Sequence, residues 1–184
     1  MSILKDDQQR YGLVTQILHW GMAALIISTF ISGEIFVDAA REEKVVILNR
    51  HATLAILFIG FLVVRVFWRT SQTNPDEVNQ NKLLVLAHKA AVLALYGLPV
   101  ALAITGALTV QTAGYAVPFF GQELIVGVLG EDKELHDVLQ LVHNVLTKLI
   151  VVVFLSHVLA AFWHQFIKRD GVLARMLPRS LKRA

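Results

Sequence analysis

The stretch "LVHNVLTKLIVVVFLSHVLAAFWH", Leu141–His164, is apolar enough to lie in a bilayer, yet it carries three histidines and a lysine. Ionisable side chains are costly in hydrocarbon and mark functional positions. His143 and His157 stand 14 residues apart, close to four helical turns. On an α-helix they differ by about 40° around the axis and lie about 21 Å apart along it. One helix would then present an imidazole on the same face near each edge of a hydrocarbon core about 30 Å thick.

The rest of the chain suits that setting. It has 184 residues, 55% of them hydrophobic, with a mean hydropathy of +0.59, and is read as one domain over 1–184. It contains no cysteine, which excludes disulfides, thiolate metal sites, iron–sulfur clusters and covalent haem attachment. The net charge is +3, but most of the basic excess sits in one short tail. No nucleic-acid partner is expected.

Four apolar spans are predicted, at 13–37, 45–68, 83–110 and 138–167. Each provides the 20 or so apolar residues that a membrane helix needs. Runs such as "AILFIGFLVV" lack the polar face of a soluble bundle helix. The first span is too long for a cleavable signal and lacks a small-residue cleavage pattern. The expected fold class is therefore an all-α membrane protein, a four-helix transmembrane bundle.

Loop charges predict its orientation. The tail carries Lys168, Arg169, Arg175, Arg179, Lys182 and Arg183 against Asp170. The connection "DAAREEK" holds three acids and two bases, and the connection before the fourth span is acidic. The positive-inside rule places both termini in the cytoplasm. The long connection from Gln111 to Asp137 is apolar but broken by Gly and Pro, which suggests an interfacial segment on the outer side.

With that orientation the histidines fall at two depths. His51 and His143 lie in the outer half, His19 and His157 in the inner half. Opposed neutral imidazoles are what a six-coordinate haem b iron requires, and four-helix bundles hold such cofactors in their cores. Two b-type haems, with the pairs His51/His143 and His19/His157 as axial ligands to iron, would form an electron path across the bilayer. A single haem, another metal or purely structural histidines are the competing readings.

Arg65 lies 14 residues after His51 on the same helix face. It could pair with a propionate of the inner haem, or extend to lipid headgroups. Lys148 sits about 7–8 Å deeper than His143 and about 140° away from it. It could snorkel outward or line a polar pocket. His164, two turns past His157, could exchange protons with a quinone or be an interfacial polar residue. His88 is read as structural or propionate-linked, and His136 as solvated. Arg69, Trp20, Trp68 and Trp163 are read as interface anchors, and Pro99 as a kink in the third span.

These features together resemble the bacterial cytochrome b561 family along nearly the whole chain. The matching pieces are "ILHW" around His19, "NRH" followed by "LVVRVFWR", "AHKAAVLALYGLPVALAITG", the His143/His157 pair and the ending "LARMLPR". The resemblance implies His19, His51, His143 and His157 as ligands of two haem b in an inner-membrane cytochrome. It also implies oxidation of superoxide at the periplasmic face with ubiquinone as the acceptor. Lys148 and the single histidine of "FWHQF" depart from close relatives at places that bear on substrate and quinone; Lys148 and His164 are the candidate catalytic residues. The alternative function is a membrane cytochrome b relay subunit that links a dehydrogenase or hydrogenase to the quinone pool. Its electron donor would be a redox protein rather than superoxide.

Overall fold

A computed structural model describes residues 3–73, 81–127 and 129–177. Arg179, Lys182 and Arg183 of the basic tail lie outside the described residues. Among those described, four helices are long and apolar enough to cross a membrane. They are α1 (Leu13–Asp38), α2 (Lys44–Thr70), α3 (Lys82–Thr112) and α4 (Lys133–Trp163). α1 packs along α2, and α3 along α4; contact between the two helical hairpins is sparser. Their outer surfaces are apolar: Ile17, Ile35, Leu93, Val152 and Leu159 are all more than half exposed, as lipid-facing residues should be. A small core of Met22, Phe58 and Leu62 holds α1 against α2. Among lipid tails such packing rests on van der Waals fit and interhelical hydrogen bonds rather than on water exclusion.

The helices begin where side chains cap them. The Asn81 side chain accepts from the Leu83 amide at 2.9 Å, and that of Asp132 from Leu135 at 3.0 Å; each satisfies an amide that the helix leaves unpaired. The Asp132 cap starts α4 five residues before the apolar span expected from 138. α3 runs through Pro99 without interruption. It ends beyond Thr112, where Gly114 turns at φ 83° and the Tyr115 amide reaches back to Val110.

The segment between α3 and α4 holds a β-hairpin, β1 (Val117–Phe119) with β2 (Gln122–Ile125). Its tip is Phe120–Gly121, both at positive φ, the geometry of a tight hairpin turn. The tip docks on α2: the Phe120 amide donates to Thr53 Oγ1 at 3.0 Å and the Gly121 amide to Asn49 Oδ1 at 2.9 Å. Asn49 and Thr53 flank His51, so the hairpin covers that end of the bundle. We call it the hairpin end, and the opposite end, where the segment before α1 meets the segment after α4, the tail end.

The tail end is tied by a buried carboxylate. Asp6 Oδ1 accepts from the Gly12 amide and from Thr15 Oγ1, each at 2.7 Å, and Oδ2 pairs with Arg69 at 2.7 Å. Trp68 Nε1 donates to Thr15 Oγ1 at 3.0 Å. Arg10 donates to the carbonyls of Ala174 and Leu177, and Trp20 Nε1 to that of Met176. Arg69, Trp68 and Trp20, expected as interface anchors, also link the chain to itself. The segment before α1 brings Asp6 to Arg69, and the segment after α4 brings Met176 to Trp20. Trp163 remains exposed.

Removing one partner of a buried ion pair leaves the other uncompensated. Asp6→Ala is expected to destabilise the protein by about 3 kcal/mol, read as a lower unfolding midpoint in detergent. Arg69→Ala added to it should cost much less than Arg69→Ala alone; additive losses would show that the pair does not act as a unit.

Candidate functional site

The structure brings the four membrane histidines together as two pairs, each with one ring from either side of the seam between the helical hairpins. His51 of α2 faces His143 of α4, with ring centroids 6.4 Å apart and planes at 73°. His19 of α1 faces His157 of α4, at 6.1 Å and 66°. The two levels are separated by the 14-residue step along α4, about 21 Å.

Neither separation is a direct hydrogen-bonded stack. A metal–imidazole bond is about 2.0–2.1 Å long and the ring centre lies about 1.1 Å further on, so two imidazoles on opposite sides of one ion have centroids about 6–6.5 Å apart. Both pairs meet that distance. No group of three or more His, Cys, Asp or Glu suited to a metal ion occurs among the described residues. A two-imidazole donor set fits an ion whose other ligands come from elsewhere, as a porphyrin supplies them.

The outer sides of the hairpin-end rings are fixed by the neighbouring helices. His51 Nδ1 lies 3.0 Å from the Thr29 carbonyl and 3.2 Å from Ser32 Oγ, whose own proton goes to Thr29 O. His143 Nδ1 lies 3.1 Å from Thr105 Oγ1, whose proton goes to Ala101 O. In both rings, then, Nδ1 carries the hydrogen and donates it, and Nε2 keeps its lone pair for an ion. Each ring also passes over a glycine. A Cβ at Gly33 would stand 3.1 Å from His51 Cε1, and one at Gly106 3.1 Å from His143 Cε1. Two dipeptides, Ser32-Gly33 and Thr105-Gly106, thus do a similar task on α1 and α3: a hydroxyl stands beside Nδ1 and a missing side chain admits the ring. These residues were not singled out above. The available signal was a hydroxyl followed by glycine inside an apolar span, at the depth of a histidine.

Around the tail-end pair, Arg65 stands within electrostatic range of both His19 and His157, and His88 within range of His157. Arg65 is held by Tyr96 Oη and the Thr15 carbonyl, both at 3.2 Å. Lys148 is exposed on α4. His136 departs from the solvated role expected of it: it is half-buried, with Nδ1 3.0 Å from the Thr109 carbonyl, because α4 begins early enough to carry it alongside α3. His164 leaves the α-helix and sits in a π-turn, α5 (His164–Lys168), a feature that often accompanies functional positions. Beside the turn is a cleft of about 380 Å³ lined by Gln165, Phe166, Arg169, Gly171 and Ala174. Gln165 Oε1 is buried without a hydrogen-bond partner among the described residues.

A side chain at either glycine must displace a ring. Gly33→Val or Gly106→Val is expected to remove the group bound at the His51/His143 level and leave the His19/His157 level filled, read from absorbance per chain. Full occupancy of both levels in both variants would show that the ring positions do not depend on these notches.

The sequence profile of the family described as "Prokaryotic cytochrome b561" matches residues 10–179. The chain is 30% identical over 180 residues to "Cytochrome b561 homolog 2" of Escherichia coli (strain K12), covering 95% of each protein. It is 24% identical over 173 residues to "Probable superoxide oxidase CybB" of Yersinia pestis, covering 93% of this chain and 97% of that one. With four membrane-spanning helices and a match along nearly its full length, the chain belongs to the prokaryotic cytochrome b561 family, whose members are membrane electron carriers that bind b-type haem.

Proposed function

We propose that the protein holds two haem b groups, one at each histidine pair, and carries electrons across the bacterial inner membrane from superoxide at the periplasmic face to ubiquinone. The observation that carries this reading is the repeated 6.1 and 6.4 Å pairing of imidazoles at two levels. The hairpin end is taken as periplasmic and the tail end, with both termini, as cytoplasmic, on the strength of the loop charges.

When bound, haem would be held by His51 with His143 and by His19 with His157, and would supply one-electron redox chemistry. The residues of the chain do the rest. Thr29, Ser32 and Thr105 orient the hairpin-end imidazoles and fix their tautomers. Arg65, in range of the tail-end pair, offers a guanidinium to a propionate. His88 is a second donor on that side. Superoxide need not touch iron; it gives up its electron near the hairpin surface and leaves as dioxygen. Two such events supply the electrons for one quinone, which also takes up two protons.

The name of the Yersinia pestis relative supports superoxide as the donor. Lys148, exposed on α4, is the cation that this reading assigns to drawing in the anion. The cleft beside the π-turn suits the product quinol, because the unpartnered Gln165 Oε1 needs a donor and a quinol hydroxyl is one. A second reading is a relay subunit that takes electrons from a dehydrogenase or hydrogenase. It has one observation in its favour: β2 is exposed along its length and pairs with β1, so its outer edge is open to a partner strand.

Stopped-flow mixing with a superoxide pulse separates the two. Reduction of the haems by superoxide, followed by reoxidation when ubiquinone is added, is expected. Haems that stay oxidised under superoxide but are reduced by a co-purifying dehydrogenase would establish the relay instead. Lys148→Glu should slow the superoxide step about tenfold or more at low ionic strength, and less at high salt.

A further inference from the structure

α4 ends in an unusual way. After Trp163 the backbone widens into the π-turn α5. Arg169 then takes the left-handed conformation at φ 54°, and Gly171 follows at φ 75°. A non-glycine residue at positive φ is strained. Here the strain folds the chain back so that Asp170 meets His164. His164 Nδ1 donates to Asp170 Oδ2 at 2.5 Å, and the amides of Arg169 and Asp170 both point at the His164 carbonyl. Burial pushes the Asp170 carboxyl up. The hydrogen bonds from His164 and the Val172 amide, with the charge of Lys168, outweigh that and hold it below the usual carboxylate range. Asp170 therefore stays ionised and keeps the Nδ1 hydrogen, so the proton that His164 can exchange is at Nε2. The two side chains are 18% and 19% exposed, within reach of water at the tail end.

The couple is also placed toward the tail-end pair. His164 follows His157 by seven residues, which keeps it within about 20° of the same helix face and about 10.5 Å away along the axis. A negative charge added at that distance changes the proton affinity of an imidazole about tenfold at an effective dielectric constant near 20.

We propose that the His164–Asp170 couple takes up a proton from the aqueous phase at the tail end when an electron arrives at the His19/His157 level. The proposal rests on reading that pair as axial ligands. One electron enters from the donor at the opposite face, and one proton from water binds Nε2 of neutral His164, whose Nδ1 hydrogen Asp170 retains. When the electron leaves for quinone, the Nε2 proton leaves with it. Two rounds deliver the two electrons and two protons that turn quinone into quinol. The charged groups around the couple are Lys168 and Arg169 on its own turn, Arg175 on the short 3₁₀ helix α6 (Leu173–Met176), Arg10 docked on that helix, and Arg65 and His88 near His157. Of these, His88 is the other imidazole.

Spectroelectrochemical titration of the full-length haem-loaded protein from about pH 5.5 to 8.5 spans the imidazole range and tests the idea. The midpoint potential of the tail-end centre should fall as pH rises, and the hairpin-end centre should stay flat. His164→Gln should abolish the fall, and Asp170→Asn should move it to lower pH. A pH-independent tail-end centre in the unmodified protein, or a slope that survives His164→Gln, would overturn the proposal and place proton uptake elsewhere. If His164→Gln does not retain the tail-end haem, Asp170→Asn decides: an unshifted profile there overturns it as well. Failure of the ligand reading would show separately, as an unmodified protein with no second haem to titrate.

Discussion

The arrangement depends on one constraint: two imidazoles from different helices must face each other across a gap wide enough for an ion and no wider. At 6.1 and 6.4 Å between ring centroids, the rings are too far apart to bond each other and too close to admit another side chain. Everything nearby serves that gap. The helices pack as two hairpins, α1 with α2 and α3 with α4, and the seam between them is left for the paired rings. α4 supplies one ring to each level, so its 14-residue step sets the separation of the two levels.

At the hairpin end the rings are positioned by subtraction. Gly33 and Gly106 omit the side chains that would occupy the ring positions, and the Thr29 carbonyl and Thr105 Oγ1 receive the Nδ1 hydrogens. At the tail end the supports are charges. Arg65 lies near both rings, while the Asp6–Thr15–Trp68 network and the Asp6–Arg69 ion pair lock the helix ends around it. Polar groups within a membrane bundle need such partners, because lipid offers none. The contrast gives the two levels different chemistry: a neutral, tightly braced pair beneath the β-hairpin, and a pair among cations close to water and to the His164–Asp170 couple.

Most of this was readable from residue order because helical periodicity is strict. A spacing of 14 places His143 and His157 on one face whatever surrounds them, and the four apolar runs leave little choice of topology. The start of α4 was not readable in that way. Hydropathy follows the lipid-embedded part and passes over Lys133–Asp137, which the Asp132 cap makes helical. The partners of Arg69, Trp68 and His136 were hidden for a related reason: Asp6, Thr15 and Thr109 are distant in sequence, and an isolated polar residue near a span end looks like an anchor. The π-turn was hidden because arginine avoids the left-handed conformation that Arg169 adopts. The hydroxyl–glycine dipeptides at 32–33 and 105–106 could have been noticed, since glycine in a membrane helix commonly marks close approach.

The most direct test of the paired-histidine account is the haem-to-chain ratio of the purified protein and of single ligand variants, with reduced-minus-oxidised spectra to identify which centre remains. The account predicts two haem b per chain in the unmodified protein. It predicts one in His51→Ala and one in His143→Ala, with the same centre missing from both, and the other centre missing from His19→Ala and His157→Ala. A ratio of zero in the unmodified protein, or the loss of different centres in His51→Ala and His143→Ala, would contradict it.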